Sequence, residues 1–250
     1  MTIATSITAD YLERSQPYFQ SVALHMPDAR RICFTIGFTT TIEGWECVHV
    51  PFSEIVWRPM NREGYQSLQH GEFTKYANFD ADEMILFTDS DMVLQRKWDI
   101  ELPPTDSILV TYSSWPQTPL MEVVKNLAPV RRIDKVLKKW GILVQREFCT
   151  CFIGAKASTW ERLYKVCTAL YGVLDEFEHH AAQQLMINLA VHNYFKSHQV
   201  LPPFVVNASW YEGTEAEGEP LKVMQTGKDV KGEPVEIEET VYFNHSKFNV

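Results

Sequence analysis

The sequence predicts a single α/β domain, on three observations. Strand-like apolar runs alternate with helix-period segments along the chain, the order that builds a sheet covered by helices. At 250 residues and 45% hydrophobic content, the chain is long enough to bury one large core. The apolar run Met84-Ile85-Leu86-Phe87-Thr88 ends abruptly in Asp89-Ser90-Asp91, and open α/β sheets bind their ligands at the carboxyl ends of strands.

Residues 2–8 read as a short strand, followed by a helix on which Leu12, Phe19, Val22, Ala23 and Met26 share a face. Proline removes a helical hydrogen bond, so Pro17 predicts a kink or a fresh start near Ser15. Pro27-Asp28 ends this helix, and 31–38 and 46–52 are the second and third strands. A helical pattern over 62–76 leads to the strand with the paired acids, and 108–112 is another short strand. Residues 116–141 form a polar-basic helical excursion carrying Arg131, Arg132, Lys135, Lys138 and Lys139, a charge run of the kind usually found on a solvated face.

The next strand, over 147–155, ends at Gly154. Ser158-Thr159-Trp160-Glu161 reads as a capping box opening a helix with the stripe Trp160, Leu163, Tyr164, Cys167, Leu170 and Tyr171, and Gly172 as its stop. A further helix over 178–195 has Ala182, Leu185, Met186 and Leu189 on its apolar side. Its other side carries His180, Gln184 and Asn188, a stripe that reads first as solvated. Beyond Trp210, the Gly- and Glu-rich stretch to about residue 240 has too little apolar content to pack and is expected to be a mobile loop or lid. Residues 241–248 then become apolar and aromatic around His245 and Lys247.

The net charge of -9 is unevenly placed, because 212–239 holds nine acids against three lysines. Overall acidity therefore argues only weakly against a phosphate-bearing partner. The five cysteines are scattered through apolar segments, as suits buried thiols in a reducing compartment; Cys149-Thr150-Cys151 lacks the second pair a zinc site needs. No apolar window reaches a membrane-span length of ~18 residues and the N-terminus has no basic n-region. A soluble, cytoplasmic protein without membrane insertion is the expectation.

Side chains alternate across a strand, so the i, i+2 spacing sends Asp89 and Asp91 the same way. Two hard oxygen donors at a sheet edge supply half of a divalent-metal site. The competing reading is a pair of solvated acids in a turn, where Asp and Ser are common.

The order of elements, with an acidic pair closing the fourth strand and a His near the C-terminus, resembles the glycosyltransferases of GT-A fold over most of the chain. That resemblance implies a Rossmann-like mixed central sheet flanked by helices, with residues 1–112 as the nucleotide-sugar half and 113–250 as the acceptor half. Asp89-Ser90-Asp91 looks like their DxD motif, and KYANFDADEMILFTDSDMVL is similar to the family 8 retaining enzymes, where a basic residue in the position of Lys75 reaches the donor. FNHSK is similar to the terminal motif of that family, which implies His245 as a third metal ligand and Lys247 on the diphosphate. QQLMIN resembles the segment that lies under the transferred sugar, implying Gln184 and Asn188; the family has Asp where this chain has Gln183, so the stereochemical outcome stays open, with retention favoured. Thr5-Ser6-Ile7-Thr8 and Asp10-Tyr11 match the first strand and turn that hold the nucleotide, implying Ser6, Thr8, Asp10 and Tyr11, with Ser90 beside them.

The chemistry fits these residue types. A nucleoside diphosphate leaving group gains charge as its glycosidic bond breaks, and a cation held by Asp89 and Asp91 neutralises it. An imidazole ligand tilts the preference from Mg²⁺ toward Mn²⁺. Lys247 adds a point charge, and Tyr11 offers a flat face for a base. Each residue also has a plainer role: Tyr11 in the core, Lys75 solvated, His245 satisfied within a terminal strand. Asp175, Glu176 and Glu178 are available as a general base for an inverting route, whereas Gln184 without a base suits retention.

A UDP-sugar is the expected donor. The acceptor stays open among a glycan, a small molecule and a hydroxymethylated DNA base. The last rests on a faint resemblance of QHGEF and DEMILFTDSDMVLQR to viral DNA-base transferases, with the basic run 131–139 as the phosphate-contacting patch. Two other classes compete. A haloacid-dehalogenase-type phosphatase would use Asp89 as nucleophile but normally starts near the N-terminus; a non-catalytic sugar-nucleotide-binding protein would keep the same residues without turnover.

Overall fold

The computed structural model describes residues 1–55, 68, 71–94, 97–98, 107–112, 148–171, 182–195, 198–200, 206–208, 226–228, 234–236 and 243–245. The first strand, β1 (Thr2–Ile7), is followed by a 3-10 turn at Ala9–Tyr11 and by helix α1 (Gln16–His25). Pro17 sits in the first turn of α1, where its missing N–H costs nothing, so the helix restarts there as the sequence predicts. Strands β2 (Arg30–Ile36) and β3 (Glu46–Val50) pair in parallel with β1 and with each other. Strand β4 (Met84–Thr88) lies parallel to β1 on its other side, and the short β5 (Met92–Leu94) follows the acidic turn.

Strand β6 (Ile108–Tyr112) and the long β7 (Phe148–Lys156) pair antiparallel, and β7 also pairs antiparallel with β4. Helices α2 (Ala157–Tyr171) and α3 (Ala182–Tyr194) come next, then β8 (His198–Val200). The result is a mixed seven-stranded sheet ordered β3-β2-β1-β4-β7-β6-β8. A second sheet joins β5 and β9 (Val206–Ala208) through the central strand β12 (Phe243–His245).

Both faces of the main sheet are buried. Ile85 and Phe87 pack with Phe34, Phe73, Trp160, Leu163 and Ile187 on the side of α2 and α3; Ile3, Ile7 and Leu86 pack with Tyr18, Phe19 and Trp45 on the side of α1. This double cover explains why β4 reads as a continuous apolar run rather than as an alternating one. Buried threonines on β1 are satisfied across the sheet: the Thr2 hydroxyl donates to Glu83, and the Thr5 hydroxyl donates to the Thr88 carbonyl at 2.7 Å. Among the described residues no helix is long and apolar enough to cross a membrane.

Four local expectations change. Strand β7 does not end at Gly154 but runs through it, because a Cβ there would lie 2.8 Å from Leu86 Cδ2 and 3.1 Å from Leu109 Cδ1. Glycine is what lets three strands close up at that level. Ser158 does not cap α2, since the helix starts at Ala157 directly from the strand. Its first N–H groups are satisfied by backbone instead, Ala157 donating to Glu83 O at 2.9 Å and Ser158 to Ala81 O at 3.1 Å. The predicted helix over 62–76 is a 3-10 turn at Glu72–Lys75 where it is described, beginning after Gly71 at φ 84°. Within the acidic stretch expected as a loop, β10 (Thr226–Lys228) and β11 (Pro234–Glu236) form an antiparallel pair. The basic run 116–141, the acids Asp175, Glu176 and Glu178, and His180, Gly172 and Lys247 lie outside the described residues.

Candidate active site

The parallel strands β1, β2 and β4 all end at one edge of the sheet, which brings Thr8, Gly37 and Asp89 to the same side. Strand β4 is anchored there twice. The Tyr18 hydroxyl, fully buried on α1, lies 2.5 Å from Thr88 Oγ1, and the Asp89 N–H donates to Cys151 O at 2.9 Å. The acids leave the strand at that point. Asp89 is exposed, Ser90 is buried and Asp91 is half-buried in a turn between β4 and β5, so strand alternation is not what aligns them.

Electrostatics nonetheless places both carboxylates in one neighbourhood. Tyr11, half-buried at the end of the 3-10 turn, has its hydroxyl pKa raised first by burial, then by Asp91, with Asp10 and Asp89 adding to it and Arg14 opposing. Three carboxylates thus act on one phenol, which stays protonated at neutral pH and can donate a hydrogen bond. Beneath the turn, Cys151 is raised by its hydrogen bond with Cys149 and by burial, and Asp89 and Asp91 add to the shift. The Cys149 and Cys151 side chains are buried beneath the turn and form its floor.

The second sheet brings the C-terminal segment to this edge. His245 pairs with Met92, the residue after Asp91, and on its other side with Ala208. Chain separation is erased by this ladder, which sets the backbone of His245 beside the acidic turn. Among the described residues no three His, Cys, Asp or Glu side chains form a metal cluster. Asp89 and Asp91 are hard donors in a field of excess negative charge, which suits a divalent cation.

Other predicted residues are placed as follows. Ser6 is half-buried near the end of β1; Thr8 is buried with its hydroxyl donating to Asp10, which is exposed. Gln183 and Gln184 lie in the first turn of α3. Lys75 is engaged elsewhere: its Nζ lies 2.5 Å from the Tyr164 hydroxyl, 4.1 Å from that ring's centroid and 3.7 Å from the buried Glu72 carboxylate. Asn188 is fully buried rather than solvated, with Oδ1 accepting from Phe148 N at 2.6 Å and Nδ2 donating to Phe148 O at 2.9 Å. It clamps the start of β7, the strand whose Cys151 carbonyl holds Asp89. Asn188→Ala, which removes both of these buried hydrogen bonds, is expected to cost about 2 kcal/mol of stability in urea unfolding. A variant that unfolds like wild type yet loses turnover would instead place the amide on the sugar.

Sequence reading missed Arg14, whose guanidinium carbon lies 5.9 Å from the centroid of the Tyr11 ring. The only signal was its position three residues after Tyr11, one helical turn on.

No protein-family model matches the chain, and no curated protein resembles it in sequence. Solved structures do match. The crystal structure of galactosyltransferase LgtC in complex with donor and acceptor sugar analogues superposes with a TM-score of 0.64 at 13% identity, over 99% of this chain and 87% of that one. An active-site mutant of LgtC matches with the same values. The fold is that of the GT-A glycosyltransferases. Its mixed central sheet and single domain agree with the architecture the sequence predicts.

Proposed function

We propose that this chain is a metal-dependent glycosyltransferase, moving a sugar from a nucleoside diphosphate donor to a hydroxyl acceptor. The observation that carries the reading is the meeting of Asp89, Asp91, Asp10 and Tyr11 at the carboxyl edge of a GT-A sheet, with the His245 strand laddered beside them. Residues 1–112 form the donor half and 113–250 the acceptor half. Asp89, Asp91 and His245 hold Mn²⁺ or Mg²⁺, which supplies charge neutralisation for the departing diphosphate. Lys247 adds a cation to the phosphates; Ser6, Thr8, Asp10, Tyr11 and Ser90 hold the nucleoside, for which uridine is the expected base.

Protonated Tyr11 keeps a hydroxyl hydrogen to donate, which suits a ligand rich in acceptor oxygens. The bond between the anomeric carbon and the β-phosphate oxygen breaks and its electron pair leaves with the diphosphate; the acceptor hydroxyl oxygen forms the new glycosidic bond as its O–H bond breaks and the proton passes to the departing diphosphate oxygen. With Gln184, and Gln183 in place of an acid, the sugar site offers neutral amides, and retention is the favoured outcome. The acceptor is a glycan, a small molecule or a hydroxymethylated DNA base.

Calorimetric titration of UDP, GDP, CDP and ADP in Mn²⁺ and in EDTA tests the reading. Metal-dependent binding of one nucleotide is expected. If none binds, the transferase reading falls, and a trapped aspartyl-phosphate at Asp89 would point to a phosphatase.

A further inference from the structure

Arg14 stands out among the surface cations because of where it is. It lies in the turn closed by the Ser15 N–H donating to Tyr11 O at 2.9 Å, so its backbone is fixed relative to the Tyr11 ring. The side chain is exposed, yet its guanidinium covers the ring with its carbon 5.9 Å from the centroid. Among the described residues Arg14 makes no ion pair, although Asp10 and Glu13 are close in sequence. A guanidinium that declines nearby carboxylates and rests on an aromatic face is held by its plane as much as by its charge.

We propose that Arg14 is the outer wall of the nucleobase subsite, so that the base of a nucleoside diphosphate is held between the Tyr11 ring and the Arg14 guanidinium. This rests on the reading of the site as a nucleotide-sugar site and adds a residue to it. A base stacked on Tyr11 needs van der Waals spacing on each of its faces, about 7 Å between the two flanking planes. The guanidinium carbon lies 5.9 Å from the ring centroid, and an exposed side chain with no ion pair among the described residues is free to rotate and admit the base. Without ligand the guanidinium keeps the apolar face of Tyr11 covered; with ligand it adds a second stacking surface and N–H donors along the base edge. The group recognised is therefore the planar base and not the diphosphate, which belongs to the acidic turn.

The test is calorimetry in Mn²⁺ with UDP, GDP, CDP, ADP and inorganic pyrophosphate on wild type, Arg14→Ala and Arg14→Lys, with melting temperatures recorded alongside. Arg14→Ala is expected to weaken the preferred nucleotide about tenfold, to leave pyrophosphate binding unchanged and to melt with wild type. Arg14→Lys keeps the charge without the plane and is expected to behave like the alanine variant. Equal loss of nucleotide and pyrophosphate would make Arg14 a phosphate contact and overturn the sandwich, as would wild-type affinity in either variant. If wild type binds pyrophosphate but no nucleotide, or binds neither, the nucleotide-site reading itself has failed and this inference falls with it.

Discussion

Asp91→Asn is expected to lower sugar transfer by about 10²–10³-fold, with Asp89→Asn close behind, because each removes half of the anionic pair that neutralises a departing diphosphate. The substitution is nearly isosteric in a turn outside the strand ladder, so the fold should persist. A second readout is independent of turnover. Asp91 is the foremost charge raising the Tyr11 hydroxyl pKa, so neutralising it in metal-free protein should move that pKa down toward the ordinary tyrosine value in an ultraviolet titration. A Tyr11 titration shifted as expected, with transfer undiminished, would keep the geometry and remove the metal from the mechanism. No change in either would mean that Asp91 does not face the site.

What the sequence disclosed follows from what leaves a local signature. Strands β1, β2, β4 and β7 are buried on both faces, so each carries apolar residues on both, and the end of β4 is marked by the change from Phe87-Thr88 to Asp89. Strands β5, β9 and β12 are three residues each, too short to carry a period, and the register that brings His245 beside Met92 is decided by pairing far along the chain. The acid pair was legible as a pair, but for a different reason than alternation: the two carboxylates meet in a turn pinned by the Cys151 carbonyl.

Polar residues misled where their partners are distant. Asn188 reads as part of a solvated stripe because nothing near it in sequence reveals the Phe148 backbone it satisfies. Ser158 has the spacing of a capping box, yet the turn at 81–83 already supplies the acceptors that α2 needs. Arg14 is invisible to pattern because a single exposed arginine on a helical turn has no distinguishing context until Tyr11 is seen beneath it.

Gly71→Ala is expected to be the most destabilising single methyl this chain can receive in its described core, at about 4 kcal/mol. Two costs combine. Gly71 has φ +84°, a left-handed backbone that an L-residue adopts only at a penalty of about 1–2 kcal/mol. The added Cβ would also lie 2.2 Å from the Trp160 carbonyl oxygen and 2.9 Å from Tyr164 Cβ. Neither neighbour can yield cheaply, since Trp160 is fully buried and its indole N–H donates to Ile85 O at 3.2 Å.

Relief must come from moving the 3-10 turn that follows, which carries Phe73 into the stack with Phe87 and holds Lys75 on Tyr164. The strain therefore propagates to the residue before Thr88, and so to the base of the acidic turn. Thermal unfolding should show a midpoint lower by roughly 8–16 °C for a chain of this size, with Mn²⁺-dependent nucleotide affinity reduced as well. A midpoint within a degree or two of wild type would mean that the turn shifts freely on α2 and that the packing of Gly71 against Trp160 contributes little to the site.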